Sequence, residues 1–229
     1  MGNTSDAYAI ILDTETTGIQ EPVVPVEIAW EARQTLRGPV VAEFSHRYQP
    51  GKAIEYGAMA THKIIDADLA DAPPYTGFDL PDGAAYLVGH NIDYDWKAIG
   101  SPDIRRICTL ALARRLWTDD QSHALGALLF RFMAHAKARE LVADAHGAAH
   151  DVMLTGLLLD AILEKMPKVQ TWERLWEASE KARIPVVMPI GKHRGTAMAD
   201  LPKDYVRWCL DNLQDLDPYL RAALEQVAA

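Results

Sequence analysis

Cysteine is nearly missing: among 229 residues only Cys108 and Cys209 carry thiols, far apart and outside any CxxC or Cys/His spacing. That excludes a disulfide scaffold or a cysteine-ligated structural zinc, and it fits a reducing compartment. Positive charge is also in deficit. Lys and Arg number 23 against 32 Asp and Glu, a formal charge of −9, so the surface as a whole repels polyanions. A nucleic-acid substrate would need a local basic strip or bound cations. Long apolar runs are scarce as well. The richest, Val152 to Leu163, contains Asp160, and nothing approaches the roughly 18 continuous apolar residues of a membrane span. The N-terminal MGNTSD leads into no apolar core, and Asp6 stands where a myristoylation signal needs Ser or Thr. A soluble, cytoplasmic protein with no membrane association is the expectation. At 49% hydrophobic and 24% charged residues, the chain has a globular composition and length enough to bury a core.

Tyr8 to Leu12 (YAIIL) is a short β-rich apolar run of the kind buried on both faces of a sheet. Val23 to Trp30 and Val40 to Tyr48 are further β-like stretches, separated by Gly38-Pro39, so the chain opens as a three-stranded antiparallel unit. Helix-length segments follow Thr61, interrupted by a strand-like run from Ala84 to Val88, with longer patterned stretches at His123 to Met133 and Gly147 to Met166. Strands first and helices around a later strand predict an α/β fold. After Met166-Pro167, helical spacing of Trp172, Leu175, Trp176 and Ser179 ends at Pro185. Residues 169–185 are therefore expected as a linker helix between a main domain over 1–168 and a small module over 186–229. In that module a hairpin runs through Gly191-Lys192-His193-Arg194-Gly195, and helices begin near Lys203.

Three polar clusters interrupt these apolar elements. In DTETTG, Asp13 and Glu15 end the first strand, and the two-residue period sends both carboxylates to one face and Thr14 to the other. In LVGHNIDYDW, the turn Gly89-His90-Asn91 leaves a strand at its C-terminal end, a functional position in α/β sheets. Asp95 follows about one helical turn later; Asp93 is the alternative acid, better suited to stabilising a helix N-terminus. In DAHGAAHDVML, Asp151 opens a long apolar helix whose inner face runs through Leu154, Thr155, Leu158 and Ile162. An acid there asks for a cation. Of the two nearby histidines, His150 points about 100° away from Asp151 on a helix, whereas His146 precedes Gly147 and can swing over the site; His146 is preferred.

DxE after a first strand, HNxxxD after a later one and HxxxxD at a late helix, in that order, resemble the DEDDh family of 3′-to-5′ exonucleases. Gly147 stands where the sister subtype has Tyr, so the histidine subtype is indicated. CTLALARRLW from Cys108 and the tail PIGKHRGTAMADLPKDYVRWCLDN resemble corresponding parts of one member of that family. The resemblance implies an RNase H-like fold, a mixed five-stranded sheet flanked by helices with a small C-terminal hairpin-helix appendage. It also implies two divalent cations, Mg²⁺ or Mn²⁺. Asp13 would bridge them, Glu15 and Asp151 would hold the ion carrying the attacking water, Asp95 would act on the other, and His146 would deprotonate the nucleophile.

Clustered carboxylates raise one another's pKa unless cations intervene. Oxygen ligands without thiolate suit Mg²⁺ or Mn²⁺, and a pair of such ions can clamp both oxygens of an in-line displacement at phosphorus. An imidazole base makes activity rise through neutral pH. By resemblance, Ile19 and Gln20 would meet the terminal base, His62 and Asn91 would line the nucleotide pocket, and Thr16 and Thr17 would reach the sugar-phosphate. Arg105, Arg106, Arg114 and Arg115 are either backbone contacts or solvated helix charges. Lys192, His193 and Arg194 are either a second substrate contact or a solvated turn. The expected reaction is release of 5′-mononucleotides from DNA 3′ ends, single-stranded or duplex, in repair or turnover. The alternatives are RNA trimming and a polymerase-associated proofreading or accessory subunit. The resemblance also implies a homodimer, as many family members form, and Trp172, Trp176 and Trp208 are either part of such a surface or core residues.

Overall fold

The apolar run at the start of the chain becomes the middle of a sheet. In the computed structural model, which describes residues 7–143 and 146–228, β1 (Tyr8–Thr16) lies between β2 (Pro25–Arg33) and β4 (Ala84–Gly89), with β3 (Val40–Arg47) and β5 (Arg105–Cys108) at the edges. The order is β3-β2-β1-β4-β5. β1, β2 and β3 pair antiparallel, whereas β4 runs parallel to β1 and β5 parallel to β4. This is the mixed five-stranded α/β sheet that was expected. Ala9 to Leu12 are at most 1% exposed, because helices cover both faces of a central strand. Edge strand β3 is mostly exposed and carries Glu43, Ser45 and Arg47, charged and polar side chains that discourage pairing with another chain.

Around the sheet pack α1 (Tyr56–His62), α2 (Asp93–Ala98), α3 (Thr109–Leu116), α4 (Leu125–Phe132), α5 (His135–Ala143), α6 (Ala148–Lys165) and α7 (Trp172–Arg183). The four-residue strand β5 gave no separate signal in the sequence pattern. Helix α6 buries the predicted face, Leu154, Thr155, Leu158 and Ile162, and also Leu159, Ala161 and Leu163. The reason is that α6 lies against β1 and β2 on one side and against α3 and α4 on the other. A helix enclosed in this way is apolar nearly all round.

The chain divides into two compact units, Met1–Ser179 and Glu180–Ala229; the division falls inside α7. In the second unit Val187 bridges Ala197, and α8 (Lys203–Asn212) and α9 (Pro218–Ala228) follow. Its own core contains Met188, Met198, Leu201, Val206, Cys209, Leu220, Ala223 and Leu224. Cys108 and Cys209 are both buried free thiols. Among the described residues, no helix is long and apolar enough to cross a membrane.

Helix α6 approaches β2 closely at Gly156. A Cβ there would lie 2.7 Å from a guanidinium nitrogen of Arg33 and 2.8 Å from Glu31 Oε1. Those two side chains form a buried ion pair at 3.0 Å, and Arg33 also reaches Asp160 on α6 at 2.7 Å. A methyl group would force this pair apart, and buried pairs tolerate displacement poorly. Gly156→Ala should therefore destabilise the protein by about 1–3 kcal/mol, read as a lower urea midpoint at unchanged slope; a midpoint equal to or above wild type would show that the helix has room to shift.

Candidate active site

The site forms where the central strand meets the start of α6. Alternation along β1 places Asp13 and Glu15 on one face, opposite Ala29 and Glu27 of β2. A register irregularity between Glu15 and Thr16 ends the regular pairing just beyond them. Asp151 comes from the first turn of α6. One carboxylate oxygen from each of Asp13, Glu15 and Asp151 lies within 4.8 Å of the others. Three acids distant in sequence thus share one small volume.

Asp95, in α2, is 4% exposed and stands outside that trio. Its Oδ1 accepts hydrogen bonds from the Thr14 backbone N–H at 3.0 Å and from the Thr14 hydroxyl at 2.8 Å. The residue expected to point away from the acids is therefore what fixes the fourth one. Asp93, the alternative acid, pairs instead with Arg106, whose guanidinium also lies 3.9 Å from the Trp96 ring centre.

His146 precedes α6 with φ +73°, a left-handed conformation that few non-glycine residues adopt. Its backbone N–H donates to Asp151 Oδ1 at 3.4 Å, and the residue is exposed. His150 Nε2 donates to the Leu141 carbonyl at 2.5 Å, which ties that imidazole to α5.

The turn after β1 is tightly braced. The Tyr94 hydroxyl lies 2.5 Å from the Thr16 hydroxyl and donates to the Gly18 carbonyl at 3.0 Å. Gly18 has φ +149°, and a Cβ there would strike the Glu55 carboxylate at 2.1 Å, so only glycine fits. His62 is buried; Nε2 donates to the Thr16 carbonyl at 3.2 Å and Nδ1 accepts from the Ile64 N–H at 3.0 Å. Burial lowers its pKa, in keeping with a neutral ring whose two nitrogens are both engaged within the chain. Thr17 is fully buried and its hydroxyl has no hydrogen-bond partner. Beyond this braced segment Ile19 is 83% exposed and Gln20 is exposed beside it. Asn91, also exposed, adopts φ +69° just before α2.

Two positioning groups carry no signal in the sequence motifs. Tyr94 sits between the two acids weighed above, and its role depends on a turn 76 residues away. Glu27, across from Glu15, accepts a hydrogen bond from the Ala148 N–H at 2.9 Å and pairs with Arg47 at 3.3 Å. Its carboxylate thereby satisfies an open N–H at the start of α6 and ties the helix bearing Asp151 to the strand facing Glu15. Of the arginines read as possible backbone contacts, Arg105 pairs with Glu173 and lies 4.7 Å from the Trp176 ring centre; with Arg106 on Asp93, both charges are engaged within the protein.

Burial is the main reason these acids resist ionisation, and mutual repulsion adds to it. Asp13 is raised well above the ordinary carboxylate range by burial and then by Asp95, Asp151, Glu15 and Glu27. Glu15 is pushed up to about 8 by burial, Asp151, Glu27 and Asp95. Asp95 rises to about 7 through burial, against the lowering effect of its Thr14 hydrogen bonds. Asp151 is raised by burial despite the His146 N–H. Charges of one sign crowded on oxygen donors are the arrangement that a hard divalent cation relieves, so the donor set fits such an ion.

Between about 4.5 and about 8 an unfolded chain ionises Glu15 while the fold resists, so stability falls as pH rises through that window. Under EDTA, wild type should lose more melting temperature between about pH 5.5 and about pH 8.5 than Glu15→Gln does, and excess Mn²⁺ should restore the lost wild-type melting temperature at the higher pH. Equal losses in the two proteins would contradict the assignment of strain to this cluster.

A family model described as Exonuclease, of the RNase T type, matches residues 10–159; a second, described only as a quorum-sensing-regulated virulence factor, matches 181–212. Exodeoxyribonuclease 10 of Escherichia coli K12, the member that the Cys108 segment and the tail resemble, is 31% identical over 226 residues, covering 94% of this chain and 96% of its own. DNA polymerase III subunit epsilon of Buchnera aphidicola is 32% identical over 174 residues, 65% of this chain and 70% of that protein. Among solved structures, exonuclease X in complex with 5′-overhanging duplex DNA is 30% identical with TM-score 0.59, covering 73% of this chain and 99% of that one. E. coli exonuclease I with a dT13 oligonucleotide, 14% identical at TM-score 0.63 over 92% of this chain and 61% of its own, shares the fold. The chain belongs to the exonuclease family.

Proposed function

We propose that this protein is a metal-dependent 3′-to-5′ exodeoxyribonuclease that releases 5′-mononucleotides from DNA ends, with its activity in the domain spanning 1–168 and a cytoplasmic role in DNA repair or turnover. The observation that carries this reading is the convergence of the Asp13, Glu15 and Asp151 carboxylates within 4.8 Å, with buried Asp95 adding to the repulsion on Asp13. Near-end-to-end similarity to Exodeoxyribonuclease 10 and the likeness to an exonuclease X–DNA complex support DNA as the substrate.

Asp13, Glu15, Asp95 and Asp151 would hold two divalent cations, Mg²⁺ or Mn²⁺. When bound, such ions lower the pKa of water and stabilise the charge that develops on the attacking and leaving oxygens. The chain's own residues supply the rest. Thr14 fixes Asp95, and Glu27 fixes the helix start that presents Asp151. His146, free of the tether that binds His150 to α5, takes the proton from water as its oxygen forms a bond to phosphorus. The P–O3′ bond breaks, the 3′-oxygen takes a proton from solvent to become the hydroxyl of the shortened strand, and a 5′-mononucleotide is freed. Exposed Ile19 and Gln20 meet the terminal base, with Asn91 at the pocket rim. Thr16, Thr17 and His62 are all buried and act by shaping the turn that presents the terminal nucleotide.

A 3′-labelled DNA strand supplied with Mg²⁺ or Mn²⁺ tests the assignment. Wild type should release labelled mononucleotide. Asp13→Asn should abolish release, and His146→Ala should lower kcat by about 10²–10⁴ while the variant still binds Mn²⁺. Undiminished digestion by either variant would remove the mechanism, and equal digestion of a matched RNA strand would move the substrate class.

A further inference from the structure

In the second unit the Gly191–Gly195 turn folds back onto α8. Gly191 has φ +70°, and a Cβ there would lie 2.8 Å from the Tyr205 hydroxyl, so glycine is required for both conformation and approach. The turn is closed by hydrogen bonds from Arg194 N–H to the Gly191 carbonyl at 3.1 Å and from Gly195 N–H to the Met188 carbonyl at 2.8 Å. The His193 ring centre is thereby held 4.4 Å from that of Tyr205, and Lys192 Nζ 5.3 Å from it. One helical turn along α8, the Trp208 ring lies nearly parallel to Tyr205, 17° between planes and 6.2 Å between centres. Gly191, Lys192, Asp204, Tyr205 and Trp208 line an open cleft of about 600 Å³.

Two features of this cleft lie outside the needs of folding. The unit's core takes Val206 and Cys209 from α8, and Tyr205 packs half-buried against it, while Trp208 remains 52% exposed, although tryptophan is usually well buried. Charge is also distributed unevenly. Residues 180–229 carry seven Lys and Arg against seven Asp and Glu, so the whole −9 of the chain resides in residues 1–179. From 191 to 208 there are four basic side chains, Lys192, Arg194, Lys203 and Arg207, against Asp200 and Asp204. An exposed tryptophan ring stacked on a half-buried tyrosine beside cations suits a ligand with flat π faces joined by phosphates. A duplex hides its base faces within its own stack, so the matching ligand is an unpaired strand.

We propose that this cleft is a second nucleic-acid site, which binds single-stranded DNA by stacking a base on Trp208, backed by Tyr205, beside the cations of the Gly191–Gly195 turn. The choice of DNA as occupant rests on the exonuclease reading; the stacking chemistry does not. The site gives an acidic protein a hold on its polyanionic substrate that is independent of the acidic cluster.

The test uses the full chain carrying Asp13→Asn in EDTA, with binding of fluorescein-labelled dT20 followed by anisotropy. Adding Trp208→Ala should weaken binding about tenfold, Trp208→Phe should restore most of it, and Lys192→Ala should lower the salt dependence by about one released ion. A dT20 strand made abasic should bind the Trp208 and Trp208→Ala proteins alike. Binding of dT20 that stays within about twofold on Trp208→Ala, or abasic and normal strands bound equally by the parent protein, would overturn the proposal. Hydrolysis of thymidine 5′-(4-nitrophenyl) phosphate by the unmodified chain with Mn²⁺ reports on the acidic cluster alone, so failure of the nuclease reading is told apart from failure of this one.

Discussion

Carboxylates held at close range set the terms for the rest of this structure. Each one opposes ionisation of the next, and burial is the larger part of the opposition, with Glu15 pushed up to about 8 and Asp95 to about 7. Without countercharge the arrangement destabilises the fold at neutral pH. A bound cation would relieve it, and oxygen donors without thiolate suit a hard divalent metal.

The fold meets this constraint with rigid supports. The central strand carries two of the acids, and its inner residues are sealed on both faces. Helix α6 brings the third, anchored at its start by Glu27 and along its length by the close approach at Gly156 to the Arg33–Glu31 pair. Thr14 holds the fourth through two hydrogen bonds. Tyr94 ties α2 back to the turn after β1, so the same short helix carries an acid and braces the loop expected to receive the terminal nucleotide. A small displacement of any support would separate the oxygens that must act together.

Much of this was legible in the sequence because it depends on local periodicity. Two-residue alternation places Asp13 and Glu15 on one face, apolar spacing marks α6, and the position of His146 before Gly147 separates it from His150, which the helix ties to α5. Supports that depend on contacts between distant elements were not legible. Glu27 reads as an ordinary polar residue of a strand until α6 is laid across it, and Thr14 reads as pointing away until α2 arrives on that side. Arg105 and Arg106 look like free cations until Glu173 and Asp93 are found beside them. His62 and Thr17 look available to a substrate, yet folding buries both. Trp208 carries the opposite lesson, since composition favours a core position and the packing of α8 leaves it half exposed.

The second unit differs from the first in its charge. The chain's excess of negative charge lies entirely in residues 1–179, where cations would be gathered, and the neutral tail offers aromatic and basic side chains. The central claim concerns the acids, and proton inventory on metal binding tests it most directly. Calorimetric titration with Mg²⁺ at about pH 7, repeated in buffers of different ionisation enthalpy, should show net release of at least about one proton per chain as the raised carboxylates ionise. Saturable binding with no proton release, or no binding at all, would contradict the account.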